Sequence, residues 1–243
     1  MTASKADIIA RLQKDILPLQ GFKASLNNIA LDKAIGPVKN AFHDNHFALG
    51  VMHEFIANSR ESAAVTTGFV AAVLAPLMQN GGTTIWIVAC KGIFPPALKA
   101  FGIAPDKIIF IELKKEKEIL WVMEEALKCE GLSAVIAEIP NLSFNASRRL
   151  QLAVEKSKVT GFVLRINPRA INTTACVTRW QISSLRSQLP DGMPGVGFPR
   201  WKVDLLKVRN GKPGSWDIEF VAGRFRQVNT IAAIPLSIQQ KTG

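Results

Sequence analysis

Cysteine and histidine are scarce, three of each in 243 residues. Cys90, Cys129 and Cys176 are scattered and form no CxxC pair. The chain therefore offers neither a disulfide framework nor a cysteine zinc site, and it fits a reducing compartment. No histidine follows Cys90 to activate it as a nucleophile, so Cys90 reads as a buried cysteine at a strand end. His43-x-x-His46 and His53-Glu54 have no further Cys or His nearby, and no metal site is expected. Neither GxSxG nor GxGxxG occurs. The longest near-apolar run, Gly68 to Met78, is about half of a bilayer span. The opening residues, MTASKADIIARLQKD, carry charges where a signal peptide needs an apolar stretch. The expected location is the cytoplasm, with no membrane contact.

What the chain has is a composition suited to one large core, 48% hydrophobic and 20% charged. Its net charge of +11 is unevenly spread. Residues 1–150 carry 16 Lys and Arg against 14 Asp and Glu, whereas residues 151–243 carry 14 against 5. Such asymmetry favours a polyanionic partner, nucleic acid or an acidic protein surface.

Ser4 to Leu17 has the spacing of a short amphipathic helix, with Ile8, Ile9, Leu12 and Ile16 on one face as candidate docking residues. The stretch to Leu49 is irregular. From Val51 onward apolar strands alternate with helices. The expected strands are Val51–Ile56, Thr83–Cys90, Ile108–Leu113, Leu132–Ile139 and Gly161–Ile166. A helix from Ser59 to about Gln79, capped by Asn58 with Glu61 completing the box, follows the first strand. Further helices are expected over Lys114–Cys129 and about Asn145–Lys156. This alternation predicts an α/β fold, a mostly parallel sheet with helices on both faces. After Pro168 the pattern becomes antiparallel, over Ala175–Leu185, Trp201–Arg209 and Trp216–Ala222, with a strong turn at Asn210-Gly211-Lys212-Pro213-Gly214. We divide the chain into an N-terminal helix (1–21) and a single domain (22–243). That domain has a parallel core over about 50–167, an antiparallel basic part over about 170–226, and a flexible tail at 227–243.

In such a sheet ligands bind beyond the carboxyl ends of the strands. A phosphate loop there needs glycines that let backbone N–H groups reach phosphate, a lysine for charge, and a hydroxyl for magnesium. The segment after the first strand, ANSRESAAVTT, has no glycine and no lysine, and Glu61 would repel phosphate. Asn58, Ser59, Thr66 and Thr67 remain as vestigial positions. Glu138, at the end of a buried strand, stands where a metal-site acid would, or else caps a loop or pairs with Arg148 or Arg149. The neighbouring strand end has Lys91 where a general base belongs. This is the architecture of a nucleotide site without its chemistry, and no cofactor is expected.

The C-terminal third interleaves cations with aromatics. Arg179, Arg200, Lys202, Lys207, Arg209, Lys212, Arg224 and Arg226 are candidate nucleic-acid ligands, with Trp180, Trp201 and Trp216 either stacking on bases or facing the core.

The order NNIALDKAIG, FALGVMHEFIAN, TTGFVAAVLAPL, GGTTIWIVAC, LSAVIAEI resembles the core of RecA-type recombinases. The triplet His53-Glu54-Phe55, the VTRW at Val177–Trp180 and LLKVRNGKPGSWDIEF at Leu205–Phe220 resemble ImuA, the RecA-like, SulA-related accessory family of inducible mutagenesis. The resemblance spans roughly residues 25–222 and implies a RecA-like fold. It also implies a non-catalytic adaptor of SOS-induced translesion synthesis, nucleoid-associated when active. The partners it implies are ImuB, an inactive relative of Y-family polymerases, and an error-prone replicative-type polymerase. Single-stranded DNA and self-association stand beside them. On this resemblance the RecA lysine falls on Ala63 or Val65, its metal-site aspartate on Glu138, and its catalytic glutamate near Lys91. The alternatives are a residual nucleotide switch or weak ATPase, and a SulA-like inhibitor of cell division.

Overall fold

A computed structural model describes residues 28–79, 81–90, 92–189 and 195–228. Its centre is a nine-stranded sheet in the order β3-β2-β4-β5-β1-β6-β7-β8-β9. The strands are β1 (Met52–Ala57), β2 (Thr83–Val88), β3 (Ile108–Glu112), β4 (Leu132–Glu138), β5 (Thr160–Ile166), β6 (Thr178–Leu185), β7 (Arg200–Val208), β8 (Gly214–Val221) and β9 (Arg224–Gln227). The six from β3 to β6 pair in parallel, and β6 to β9 pair antiparallel. The expected α/β class and its antiparallel edge are both present.

Near-continuous apolar strands imply cover on both faces, and the side chains divide accordingly. On one face Phe55, Trp86, Ala134, Ile136 and Phe162 meet helix α2 (Arg60–Met78) in a single core cluster. The short helix α1 (Ile29–Ala34) buries Leu31 and Ala34 beside it. On the other face Met52, Ile87, Val135, Ala137 and Val163 form a second core with α3 (Glu116–Leu127) and α4 (Phe144–Ser157). By length and composition α2 is apolar enough to cross a bilayer, which the Gly68–Met78 run did not suggest. Here it packs on the sheet, with Phe69, Val70, Val73 and Leu74 buried.

Among the described residues, the antiparallel strands are covered on one side only. Trp201, Val203, Leu205, Ile218, Phe220 and Phe225 join the α2 core, while Lys202, Leu206, Arg224 and Arg226 alternate outward and are exposed. The far edge, β9, is closed by residues 36–41, where Gly36 (φ +54°) passes so close to the Phe225 carbonyl that a Cβ would lie 2.2 Å from it.

Several boundaries differ from expectation. The stretch before Leu49 holds α1 and two 3₁₀ turns (36–41 and 43–45), because Asn28 caps α1 through its side chain, accepting from Leu31 N–H at 3.0 Å. β9 was not anticipated. Gln227 belongs to it, and Val228 N–H donates to Asp217 O, so the proposed tail does not begin at 227. The amphipathic segment carrying Ile8, Ile9, Leu12 and Ile16 lies outside the described residues.

Candidate functional site

The carboxyl ends of β1, β2 and β4 meet at one end of the sheet, where a nucleotide would be expected. β1 ends at Ala57 and α2 begins at Arg60, so Asn58 and Ser59 alone connect them. The cap is Ser59 rather than Asn58, and its box partner is Ser62 rather than Glu61. Ser59 Oγ accepts from Ser62 N–H at 3.0 Å, and Ser62 Oγ accepts from Ser59 N–H at 2.9 Å. This reciprocal cap satisfies N–H groups that a phosphate loop would present to its ligand. Thr66 and Thr67 do not open the helix. They lie in its second turn, where Thr66 is buried and its hydroxyl has no partner among the described residues. Glu61 instead accepts from the Ser184 hydroxyl at the end of β6.

Glu138 does not pair with Arg148 or Arg149. Its Oε2 accepts from Ala89 N–H at 3.0 Å, tying the end of β4 to the end of β2. Burial pushes its carboxyl above the usual range. Arg149 bonds Glu124 on α3 instead. Cys90 is exposed, not buried, and Lys91 lies outside the described residues. No group of three metal-ligating side chains occurs among the described residues.

His53 is buried in the α2-side core, stacked against Phe47 and Phe162. Trp180 Nε1–H donates to Thr178 Oγ1 at 2.7 Å, and that hydroxyl can donate to His53 Nδ1, also at 2.7 Å. His53 Nε2 faces Ala48 O at 2.9 Å, which assigns its proton to Nε2. Burial brings its pKa down to about 4.

The largest polar assembly was not anticipated from the sequence. Glu54, fully buried in the middle of β1, accepts from Arg165 Nη1 at 2.7 Å, Arg179 Nε at 2.9 Å and the Thr174 hydroxyl at 2.7 Å. Arg165, 1% exposed, also donates from Nε to Pro140 O and from Nη2 to Ala170 O and Asn172 Oδ1. Arg179 Nη2 reaches Asn172 O at 2.6 Å, and Lys207 Nζ reaches Thr174 O at 2.9 Å. Burial, chiefly, pulls the Lys207 ammonium below its usual range. Nearby Cys176 is pushed up to about 12 by burial, then by the Glu54 charge, and is inert as a thiol. A buried carboxylate shared by two guanidiniums is expensive to desolvate, so each ion depends on the others. The contacts bind the 167–177 connection between β5 and β6 onto the sheet.

The eight candidate cations do not form one patch. Arg179 and Lys207 serve that assembly, and Arg200 pairs with Glu219 at 2.7 Å. Arg209 lies against Ala175 O, at 3.5 Å. Lys202, Lys212, Arg224 and Arg226 are exposed. However, Lys212 precedes β8 and Arg224 follows it, about 25 Å apart at strand rise. Asp217 stands opposite Lys202, and Glu219 opposite Arg226. Trp180 and Trp201 are buried, and Trp216 packs half-buried on the same core, so these rings face inward rather than toward bases.

No protein-family model matches the chain. It is 31% identical over 194 residues to Protein ImuA of Caulobacter vibrioides, covering 75% of this chain and 80% of that one. It is 27% identical over 119 residues to the cell division inhibitor SulA of Photorhabdus laumondii (47% of this chain, 67% of that one). It is 25% identical over 130 residues to SulA of Yersinia pestis (53% and 76%).

Proposed function

This chain belongs to the ImuA family, and from that premise we propose that it is a non-catalytic, RecA-like adaptor in SOS-type mutagenic DNA repair. Its strand order supports the RecA-like reading. The acid-ended strand β4 is separated from β1 by β5, and α2 follows β1 directly. The observation that carries the non-catalytic reading is the two-residue β1–α2 link, closed on itself by Ser59 and Ser62. It takes up the Ser59 and Ser62 N–H groups and offers neither a glycine nor a lysine for a triphosphate.

In this reading the partner is an inactive Y-family-like polymerase of the ImuB kind, acting with an error-prone replicative-type polymerase. Single-stranded DNA is a secondary ligand of the exposed Lys202, Lys212, Arg224 and Arg226. The site of action is the cytoplasm, at the nucleoid. The test is thermal unfolding with Mg-ATP. A ligand at a hundred times its dissociation constant adds about 2.7 kcal/mol to stability. We expect no shift. A saturable shift would reinstate the nucleotide switch.

The SulA matches favour a second reading, in which the chain binds a cell-division protein. Pull-downs that recover such a protein and none of the mutagenesis partners would select it.

A further inference from the structure

Between Glu138 and Asp191 the sequence contains a single acid, Glu155, against eight Lys and Arg. Two segments of this stretch are brought together at the carboxyl ends of β4 and β5. Residues 140–144 follow β4, and residues 167–173 begin the connection that the Glu54 assembly holds down. Two contacts join them directly, Arg169 N–H to Asn141 Oδ1 (3.3 Å) and Asn172 Nδ2 to Leu142 O (2.9 Å), and Arg165 on β5 bridges them by donating to both Pro140 O (3.0 Å) and Ala170 O (2.7 Å). The result is a fixed surface with two large apolar side chains turned outward, Phe144 at 45% and Ile171 at 52% exposure. Arg148, one turn beyond Phe144 on α4, and Arg169, on the second segment, are exposed, and neither carries an ion pair among the described residues. A surface loop fastened by a buried carboxylate and two guanidiniums is costlier than a solvated turn needs. Its backbone is pre-organised, which lowers the entropy lost when a partner docks.

We propose that this surface, centred on Phe144, Ile171, Arg148 and Arg169, is where a protein partner docks, through a segment with an apolar anchor flanked by carboxylates. The proposal rests on the adaptor reading above and gives that adaptor its binding face. Charge complementarity supplies the acidic flanks, since neither segment offers an acid to repel them. The apolar pair favours protein over nucleic acid. Ile171 has no ring to stack on a base, and two free arginines are few for tracking a phosphate backbone.

The test uses the full chain and the ImuB-like partner from the same organism, with binding measured by biolayer interferometry at low and high salt. Two paired variants, Arg148→Glu/Arg169→Glu and Phe144→Ala/Ile171→Ala, are compared with a charge-reversal control at the exposed Lys99 and Lys107, Lys99→Glu/Lys107→Glu. All substituted positions are exposed, and unchanged melting curves check the fold. The expected result is about tenfold weaker binding for each paired variant and little change for the control. Reversing the arginines is expected to flatten the salt dependence, while truncating the apolar pair leaves it unchanged. Amides of 167–173 are expected to exchange more slowly in the complex. Wild-type affinity in both paired variants would overturn the proposal and leave the adaptor reading standing. Loss of single-stranded oligonucleotide binding instead of partner binding would overturn it in favour of nucleic acid. No binding by the wild-type chain would remove the adaptor reading, and this surface with it.

Discussion

Two connections leave the same end of the sheet and are built by opposite means. The link from β1 to α2 is two residues long, uncharged, and closed by a pair of serine hydroxyls at the surface. The connection from β5 to β6 runs over 167–177 and is held by ions, the buried Glu54 between the buried Arg165 and the partly buried Arg179. In a nucleotide-hydrolysing α/β protein the first connection is the one loaded with chemistry. Here that place is a plain helix cap, and the costly polar groups lie beneath the second. The molecule places its rigidity under a surface loop, which suits recognition better than phosphate chemistry.

Stability measurements can break or sharpen this contrast. The largest effect is expected from Glu54→Ala, which leaves the buried Arg165 and the partly buried Arg179 without their carboxylate. A loss of about 3–5 kcal/mol in urea unfolding is expected. A loss below about 1 kcal/mol would mean that the ions do not secure the second connection.

Next comes pH. β6 begins where that connection lands, and Thr178 at its start bonds His53. His53 holds a folded-state pKa of about 4 against an ordinary 6.5. Between those values the unfolded chain takes up a proton that the folded chain refuses. The contribution is therefore complete above pH 6.5 and is lost as pH falls toward 4, about 3 kcal/mol in all. Urea unfolding at pH 7.5, 5.5 and 4.5 reads it, and His53→Asn should flatten the slope.

Ser59→Ala tests the first connection, with an expected cost of about 1 kcal/mol, ordinary for a helix cap. The smallest effect is assigned to Glu138→Gln. A carboxyl raised by burial disfavours the folded state once ionised, and the amide oxygen can still accept from Ala89 N–H. Stability at pH 7 should rise slightly, and the gain should vanish as pH falls below the carboxylate range. A clear fall at pH 7 would show that the charge itself is needed there.

Much of the sheet was legible because its strands are short apolar runs between turn residues, and runs such as TTIWIV and LSAVIAE have few other places to go. Boundaries slipped by one to three residues, since chain ends fray and neighbouring residues compete to cap. Ser59 displaced Asn58 in this way. β9 escaped because RFRQ shows one inward side chain, Phe225, too short a pattern to register. Reading Cys90 as buried failed because an apolar strand does not say how far its cover extends. The ion assembly was invisible for a different reason. Glu54 meets Arg165 and Arg179 across 111 and 125 residues, and nothing local distinguishes them from surface charges.

By itself, the sequence determined the α/β class, the antiparallel edge, the missing phosphate loop and, through ordered motifs, the family. All of these are local patterns of period, turn chemistry and residue type, and they survive in one dimension. The tertiary structure alone decided which charges are buried partners and which remain exposed. It placed Trp180 and Trp201 inside, spread the candidate cations over separate faces, and joined residues 140–144 to 167–173. Those outcomes depend on which strands become neighbours. The energy of a charge is set by its surroundings in space, not by its neighbours along the chain.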